Sequence, residues 1–244
     1  MTRLLTPPFF EIGPKNLLRQ TEIEALAVAA GAAGAEHEVD VVLTVPNALV
    51  TRTAELDSGV LVFAQAMDAD TIGATFGSTT AEALVDAGAD GVMLNHESRQ
   101  LGPETLAETV SRAHGVGLLT IVCAGTIGDA VRFSLLNPTA ILFEPPELIG
   151  TSGAVSRSWI PEANTTVRDT SGAVLMMHAG GVASPTIARH IMAAGADGTG
   201  STSGVLGALD RSDAARTFIA STRQGFDEAL ASPQHVQHNE GDRT

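Results

Sequence analysis

Short apolar runs recur along the whole chain, and each is followed by a turn and then by a stretch with helical spacing. The runs consist mainly of Val, Ile, Leu and Phe without clean alternation, which is typical of strands buried on both faces in a parallel sheet. Eight runs are present, at residues 9–12, 41–45, 60–64, 91–94, 119–123, 140–143, 174–177 and, most weakly, 198–201. This order of strand and helix predicts an α/β fold.

The connections between the runs repeat. Ala-Gly-Ala-Asp-Gly occurs at residues 87–91 and again at 194–198, so Gly88 and Gly195 are predicted to end helices in the left-handed conformation. Pro103 and the pair Ser184-Pro185 predict helix starts. Eight strands in 244 residues with no break in composition predict a single (β/α)₈ barrel, which we place at residues 1–231. An open, doubly wound sheet is the alternative, but it would usually use fewer strands.

Composition excludes two classes of partner. The chain has 28 Asp and Glu against 14 Lys and Arg, a formal net charge of −14. Such a surface repels a phosphate backbone and an anionic membrane, so we expect neither nucleic acid nor membrane as a partner. Hydrophobic residues make up 44% of the chain, which suffices for a core.

The sequence has no secretion signal pattern at its start and no apolar stretch of the roughly 18 residues that a spanning helix needs. The single cysteine, Cys123, has no partner for an internal disulfide. These features predict a cytoplasmic protein. Residues 232–244 are polar and without periodicity, and they are predicted to form a disordered tail.

In a β/α barrel the reactive groups lie at the carboxyl ends of the strands. Lys15, His96 and Glu144 each follow a different predicted strand, so they are expected to converge. Lys15 is the only lysine in a chain whose other basic residues are all Arg, which suggests a task such as binding a phosphate or an oxyanion. Taken singly, each residue could instead be an ordinary surface or loop residue.

The glycine-rich segments after strands seven and eight predict a phosphate site built from backbone N–H groups. Their candidate residues are Gly180, Gly181, Thr202 and Ser203. The chain lacks a Gly-Lys-Ser/Thr phosphate loop, and the stretch at 198–203 lacks the third glycine of a dinucleotide fingerprint. No His-x-x-x-His or Cys-x-x-Cys pair is present, so neither a metal nor a cofactor is predicted.

Two segments carry a resemblance to a known family. Phe-Glu-Pro-Pro-Glu-Leu-Ile-Gly-Thr at residues 143–151 resembles the catalytic-glutamate and lid loop of triosephosphate isomerases, especially the short archaeal type. Gly-Val-Met-Leu-Asn-His at residues 91–96 resembles the fourth strand and catalytic histidine of that family. The resemblance extends from about residue 9 to about residue 226.

The resemblance implies roles for individual residues. Glu144 would be the base that moves a proton between adjacent carbons, His96 the neutral electrophile, and Lys15 a partner of the phosphate and the developing oxyanion. The residues implied in phosphate binding are Gly150, Gly181, Thr202 and Ser203. The implied activity is aldose–ketose isomerisation of a small phosphorylated sugar, a triose phosphate or a related tetrose or pentose phosphate, by a homo-oligomer (dimer or tetramer).

The chain departs from the family pattern at two places. Glu97-Ser98 transposes the family's Ser-Glu, whose glutamate helps to order the active-site lysine. Gly13 stands where the family carries Asn, which removes a side-chain donor, and Glu11 occupies an unusual strand position. These changes favour an altered substrate. They also favour a non-catalytic sugar-phosphate-binding barrel, which the retention of Lys15, His96 and Glu144 opposes. A barrel aldolase or epimerase is a weaker alternative, because it would normally need a Schiff-base lysine on a later strand or a metal.

Overall fold

The computed structural model describes residues 3–149, 151 and 157–232. Its strands are β1 (Phe9–Ile12), β2 (Asp40–Val45), β3 (Leu61–Ala64), β4 (Gly91–Leu94), β5 (Leu119–Ala124), β6 (Ala140–Phe143), β7 (Leu175–His178) and β8 (Gly198–Gly200). Each strand pairs in parallel with the next, and β8 pairs with β1, so the sheet closes into a barrel. The predicted (β/α)₈ barrel is confirmed, and the open sheet is excluded.

Helices connect the strands and cover the outside of the barrel, in agreement with the helical spacing between the apolar runs. They are α1 (Gln20–His37), α2 (Val50–Ala54), α3 (Ala81–Asp86), α4 (Pro103–Gly115), α5 (Ile127–Ser134), α6 (Ile160–Thr170), α7 (Pro185–Ala193), α8 (Ser203–Leu206) and α9 (Arg211–Ala231). Short 3₁₀ helices span Asn47–Leu49, Glu97–Arg99 and Pro146–Leu148, at the carboxyl ends of β2, β4 and β6. No helix within the described ranges has the length and apolarity required to cross a membrane.

The helix ends follow the local chemistry of the sequence. Gly88 and Gly195 have φ angles of 84° and 95°, the left-handed region in which a Cβ atom is unfavourable. The Ser184 hydroxyl accepts the Ile187 N–H at the start of α7. The residues at these turns therefore determine where the helices begin and end.

Several strand boundaries differ from the prediction by one residue, and the end of β7 matters most for the site. The sequence placed His178 in the loop after β7, but it is the last residue of that strand, in register with Phe143 and Thr199. Its side chain is 1% exposed, and Nε2 lies 2.7 Å from Oδ1 of Asn164 on α6. Burial lowers the pKa of His178 to about 3, so the ring is neutral. A tertiary contact, invisible in the local pattern, draws this polar residue into the strand.

Residues 233–244 lie outside the described residues, so the predicted tail and the domain limit at residue 231 stay predictions.

Candidate active site

The carboxyl ends of the strands surround a cavity of about 680 Å³. The predicted site residues that line it are Lys15, His96, Glu144, Gly180, Gly181, Thr202 and Ser203. Gly150, predicted in the lid, lies outside the described residues. The size falls in the range of small-molecule sites. Within residues 3–149, 151 and 157–232, no group of three His, Cys, Asp or Glu side chains is arranged to hold a metal ion.

Glu144 follows β6 directly, and its N–H donates to the Ala124 carbonyl across 3.0 Å, which extends the strand pairing by one residue. The side chain is half-buried at the mouth of the barrel. Burial raises the pKa of Glu144, while Lys15, Arg157 and a hydrogen bond from the Gly180 backbone act in the opposite direction. A carboxylate with a raised pKa is a stronger base toward a carbon acid.

His96 is the residue before the 3₁₀ helix Glu97–Arg99, and it is half-buried. Its Nδ1 accepts the Ser98 N–H across 3.1 Å and lies 2.9 Å from the Ser98 hydroxyl. Burial, and next the Lys15 charge, lower the pKa of His96. A neutral ring that accepts at Nδ1 carries its proton on Nε2, so it can donate a hydrogen bond from that atom.

Lys15 lies in the turn after β1, with a left-handed φ of 48°. Its carbonyl accepts a hydrogen bond from Nε2 of Gln65 at the end of β3 (2.9 Å). Within the described ranges Lys15 makes no ion pair, with Glu97 or with any other carboxylate. The transposed Glu97-Ser98 pair therefore supplies no carboxylate partner to Lys15. A hydrogen bond to its backbone carbonyl positions the lysine, and its ammonium has no carboxylate partner among the described residues.

The loops after β7 and β8 present unpaired backbone donors to the cavity. Gly180 and Gly181 have φ angles of 85° and 63°. The N–H groups of Gly181, Thr202 and Ser203 make no hydrogen bond to the described residues. The Thr202 hydroxyl donates to the Gly13 carbonyl across 2.9 Å, which ties the β8 loop to β1. Unpaired N–H groups beside a cavity form a site for an anion.

Sequence reasoning missed Arg157, because it follows the lid segment and no strand-end rule marks it. Its side chain is 4% exposed, and its guanidinium donates to the carbonyls of Ala179 and Gly180. The charge of Arg157 also favours the ionised form of Glu144, lowering the pKa of that carboxyl. One buried cation therefore holds the β7 loop and acts on the predicted base.

Glu11 forms the floor of the cavity together with two glycines. Its side chain is 7% exposed, and no described residue hydrogen-bonds its carboxyl group. Oε1 lies 2.9 Å from where a Cβ atom on Gly13 would stand, and Oε2 lies 3.0 Å from the same point on Gly200. The carboxyl of Glu11 thus occupies space into which a side chain at residue 13 would extend.

Burial raises the pKa of Glu11 to about 7, and the nearby Glu144 carboxylate adds to the rise. The Thr44 hydroxyl and Lys15 act in the opposite direction. Thr44 Oγ1 is itself buried and outside hydrogen-bonding geometry, so its influence is that of a nearby dipole. The floor therefore holds a carboxyl group poised between its two protonation states near neutral pH.

A closed eight-stranded barrel with titratable side chains converging at its carboxyl end defines an enzyme of the (β/α)₈-barrel class. The chain matches the family model "Triosephosphate isomerase" over residues 15–216. Glu11 and Gly13 lie just before the matched residues. The chain belongs to the triosephosphate isomerase family and is an isomerase.

Curated relatives support this assignment. The chain is 32% identical to triosephosphate isomerase of Metallosphaera sedula over 79% of its own length and 85% of the relative. It is 34% identical to the enzyme of Sulfolobus acidocaldarius over 75% and 80% of the two chains. The crystal structure of triosephosphate isomerase from Bartonella henselae matches with a TM-score of 0.71 at 19% identity, covering 90% of this chain and 100% of that one. The resemblance to the archaeal type is confirmed.

Proposed function

We propose that the protein is an aldose–ketose isomerase of a small phosphorylated sugar, and that its reaction passes through an enediolate. The observation that carries the proposal is the convergence of Glu144, His96 and Lys15 on one cavity, beside unpaired backbone N–H groups. The relatives named as triosephosphate isomerases make triose phosphate the first candidate substrate.

In the proposed reaction the Glu144 carboxylate removes a proton from the carbon next to the substrate carbonyl. The C–H electron pair forms the carbon–carbon double bond of the enediolate, and the carbonyl electron pair moves onto oxygen. Nε2–H of His96 and the Lys15 ammonium stabilise that negative charge. Nε2 of His96 gives its proton to the former carbonyl oxygen and takes the proton of the hydroxyl group on the neighbouring carbon. Glu144 returns its proton to that neighbouring carbon as the new carbonyl group forms, so no net charge or hydrogen is gained.

We propose that the substrate phosphate binds at the N–H groups of Gly181, Thr202 and Ser203, with Gly180 beside them. Backbone donors and one ammonium provide local positive potential, so a net charge of −14 does not prevent capture of an anion. A contribution from Gly150 is proposed from the family pattern alone. Anchoring the phosphate supplies binding energy that orients the reacting carbons.

We infer a cytoplasmic location, supported by the single, buried and unpaired Cys123. We infer a homo-oligomer, dimer or tetramer, from family membership. Sedimentation equilibrium of the purified chain tests the second inference, and a monomer at micromolar concentration would contradict it. Neither nucleic acid nor a membrane is proposed as a partner.

Hydrogen exchange in deuterated water tests the proposed activity. The protein is incubated with dihydroxyacetone phosphate and with three- to five-carbon sugar phosphates, alongside Glu144→Gln. We expect the wild type to incorporate deuterium next to the carbonyl, and Glu144→Gln to lose roughly 10²-fold or more of this rate. Glu104→Gln, an exposed change at the start of α4, is the control and should behave as wild type.

Binding of a sugar phosphate without exchange for any substrate would favour the alternative, a non-catalytic barrel of the same family. That outcome would contradict the proposed isomerisation, because the base is required only for proton transfer.

A further inference from the structure

The proposed reaction gives Glu11 no task. A buried carboxyl group with no hydrogen-bond donor is costly, and such groups are rare unless they serve a ligand. Glu11 is 7% exposed and borders the cavity. Among the described residues, the nearby Thr44 hydroxyl favours its ionised form but lies outside hydrogen-bonding geometry. The glycines at positions 13 and 200 leave room for both of its oxygens.

We propose that the Glu11 carboxyl binds a hydroxyl group of the substrate beyond the reacting carbons, and that the preferred substrate is a phosphorylated sugar at least one hydroxylated carbon longer than a triose. This inference rests on the proposed function for the position of the phosphate and of the reacting carbons.

The placement of the substrate follows from the two ends of the site. The phosphate lies at the loops after β7 and β8, and the reacting carbons lie between Glu144 and His96. The proposal places a hydroxyl group of the rest of the sugar on the floor of the cavity, where Glu11 is the buried acid. The register pairs Glu11 with Gly200 of β8, and the carboxyl lines the cavity beside these two strands.

The Glu11 carboxyl stands where the family pattern has a side chain at residue 13. An asparagine side chain at residue 13, as in the family pattern, would begin 2.9 Å from the present position of Oε1 of Glu11. Such a contact is shorter than real Cβ atoms tolerate, so an asparagine at residue 13 requires the Glu11 carboxyl to move from its present position. The exchange of a larger side chain for glycine gives that space to the Glu11 carboxyl, which makes the floor of the cavity acidic.

A hydroxyl group suits the chemistry of this floor. A hydroxyl both donates and accepts one hydrogen bond, and a carboxyl group near its pKa can accept in one state and donate in the other. A cationic substrate group is disfavoured because the Lys15 ammonium already acts on Glu11. A purely apolar end would leave the buried carboxyl unpaired.

Binding of inert polyol phosphates tests the inference without turnover. We expect wild-type protein to bind erythritol 4-phosphate roughly 10-fold or more tightly than glycerol 3-phosphate in calorimetry. Glu11→Leu should bring the ratio of the two affinities close to one. Glu11→Gln should retain part of the preference, because an amide still forms hydrogen bonds. Both variants remove a buried charge, so loss of folding is not expected.

Gly13→Asn provides an independent variant, because it displaces the carboxyl without deleting it. It should weaken erythritol 4-phosphate binding more than glycerol 3-phosphate binding. Gly102→Ala is the matched control, since a Cβ atom there meets nothing within 4 Å. It should leave both affinities unchanged.

The outcomes separate this inference from the proposed function. Equal affinity for the two polyol phosphates, no measurable binding of the longer one, or a preference that survives Glu11→Leu would overturn the inference while leaving isomerisation of triose phosphate intact. A preference for erythritol 4-phosphate that depends on Glu11, found without deuterium exchange of any sugar phosphate, would support Glu11 as a hydroxyl-binding residue. The same result would contradict the proposed isomerase mechanism.

Discussion

The Ser98 backbone donates its N–H to Nδ1 of His96 across 3.1 Å, and this contact fixes the tautomer of the ring. The transposed Glu97-Ser98 pair preserves it because a backbone donor does not depend on the side chain. The family departure next to the histidine therefore alters the surroundings of Lys15 more than it alters those of His96.

The first prediction concerns the protonation state of His96. We expect nitrogen NMR of the wild type to show a neutral ring with its proton on Nε2 at pH 7, and a pKa below the ordinary value of 6.5. Ser98→Ala keeps the backbone donor and should keep the tautomer. A ring protonated on Nδ1, or a pKa above 6.5, would show this assignment to be wrong.

The second prediction concerns Gly180. A Cβ atom on this residue would lie 3.2 Å from Cγ of Glu144 and 3.0 Å from Cβ of Leu148, so Gly180→Ala should displace the base. We expect kcat/KM to fall roughly 10-fold or more, since small displacements of reacting groups are costly. Steady-state kinetics measures this effect.

Gly77→Ala is the matched control for that change. Gly77 has a φ of 79°, close to the 85° of Gly180, but nothing lies within 4 Å of its Cβ position. Both variants carry the left-handed strain of about 1–2 kcal/mol, and only Gly180→Ala should lose activity. Equal losses would mean that strain, and not contact with Glu144, is responsible.

The third prediction concerns Arg157, whose charge lowers the pKa of Glu144. Arg157→Met removes that influence, so the pKa of Glu144 should rise and the acid limb of the kcat/KM profile should move to higher pH. Arg157→Lys retains a charge but not the two-pronged contact with the Ala179 and Gly180 carbonyls. It should shift the limb less. An unmoved limb in Arg157→Met would contradict the electrostatic role.

Loss of the two hydrogen bonds from Arg157 to the Ala179 and Gly180 carbonyls should also destabilise the fold. Each buried carbonyl left without a donor costs about 1–3 kcal/mol. Chemical denaturation of Arg157→Met should therefore show a lower free energy of unfolding, and Arg157→Lys a smaller decrease. Wild-type stability in Arg157→Met would show that water replaces the guanidinium at these carbonyls without cost.

The fourth prediction concerns pH and Glu11. Its pKa is about 7 in the folded protein and 4.5 ordinarily, so the folded chain binds more protons than the unfolded chain between these values. The contribution of Glu11 to the free energy of unfolding therefore decreases as pH rises through that window. Glu11→Gln removes the dependence, so its stability relative to wild type should increase by up to roughly 3 kcal/mol from about pH 4 to about pH 8.

Urea denaturation at several pH values measures this difference, with Glu104→Gln as the exposed control whose curve should run parallel to wild type. A difference between Glu11→Gln and wild type that stays constant with pH would mean that the carboxyl ionises in the folded protein as easily as in water.

The barrel and the convergence of Lys15, His96 and Glu144 on one cavity were predictable from the sequence. Parallel strands buried on both faces leave continuous apolar runs, and a closed parallel sheet brings every carboxyl end to one rim. Local rules of this kind also marked the helix-ending glycines, because the left-handed conformation is decided within a single turn.

The tertiary structure alone decided the rest. Arg157 reaches the β7 loop from a segment that has no strand-end signal, and His178 enters its strand because Asn164 lies beside it across the βα unit. The sequence marked Glu11 as unusual but did not make it part of the site. Its place at the cavity floor depends on the empty space at Gly13 and at Gly200, which is far away in the chain. Contacts between distant residues carry no periodic signature, so packing in three dimensions determines which buried charge faces the ligand.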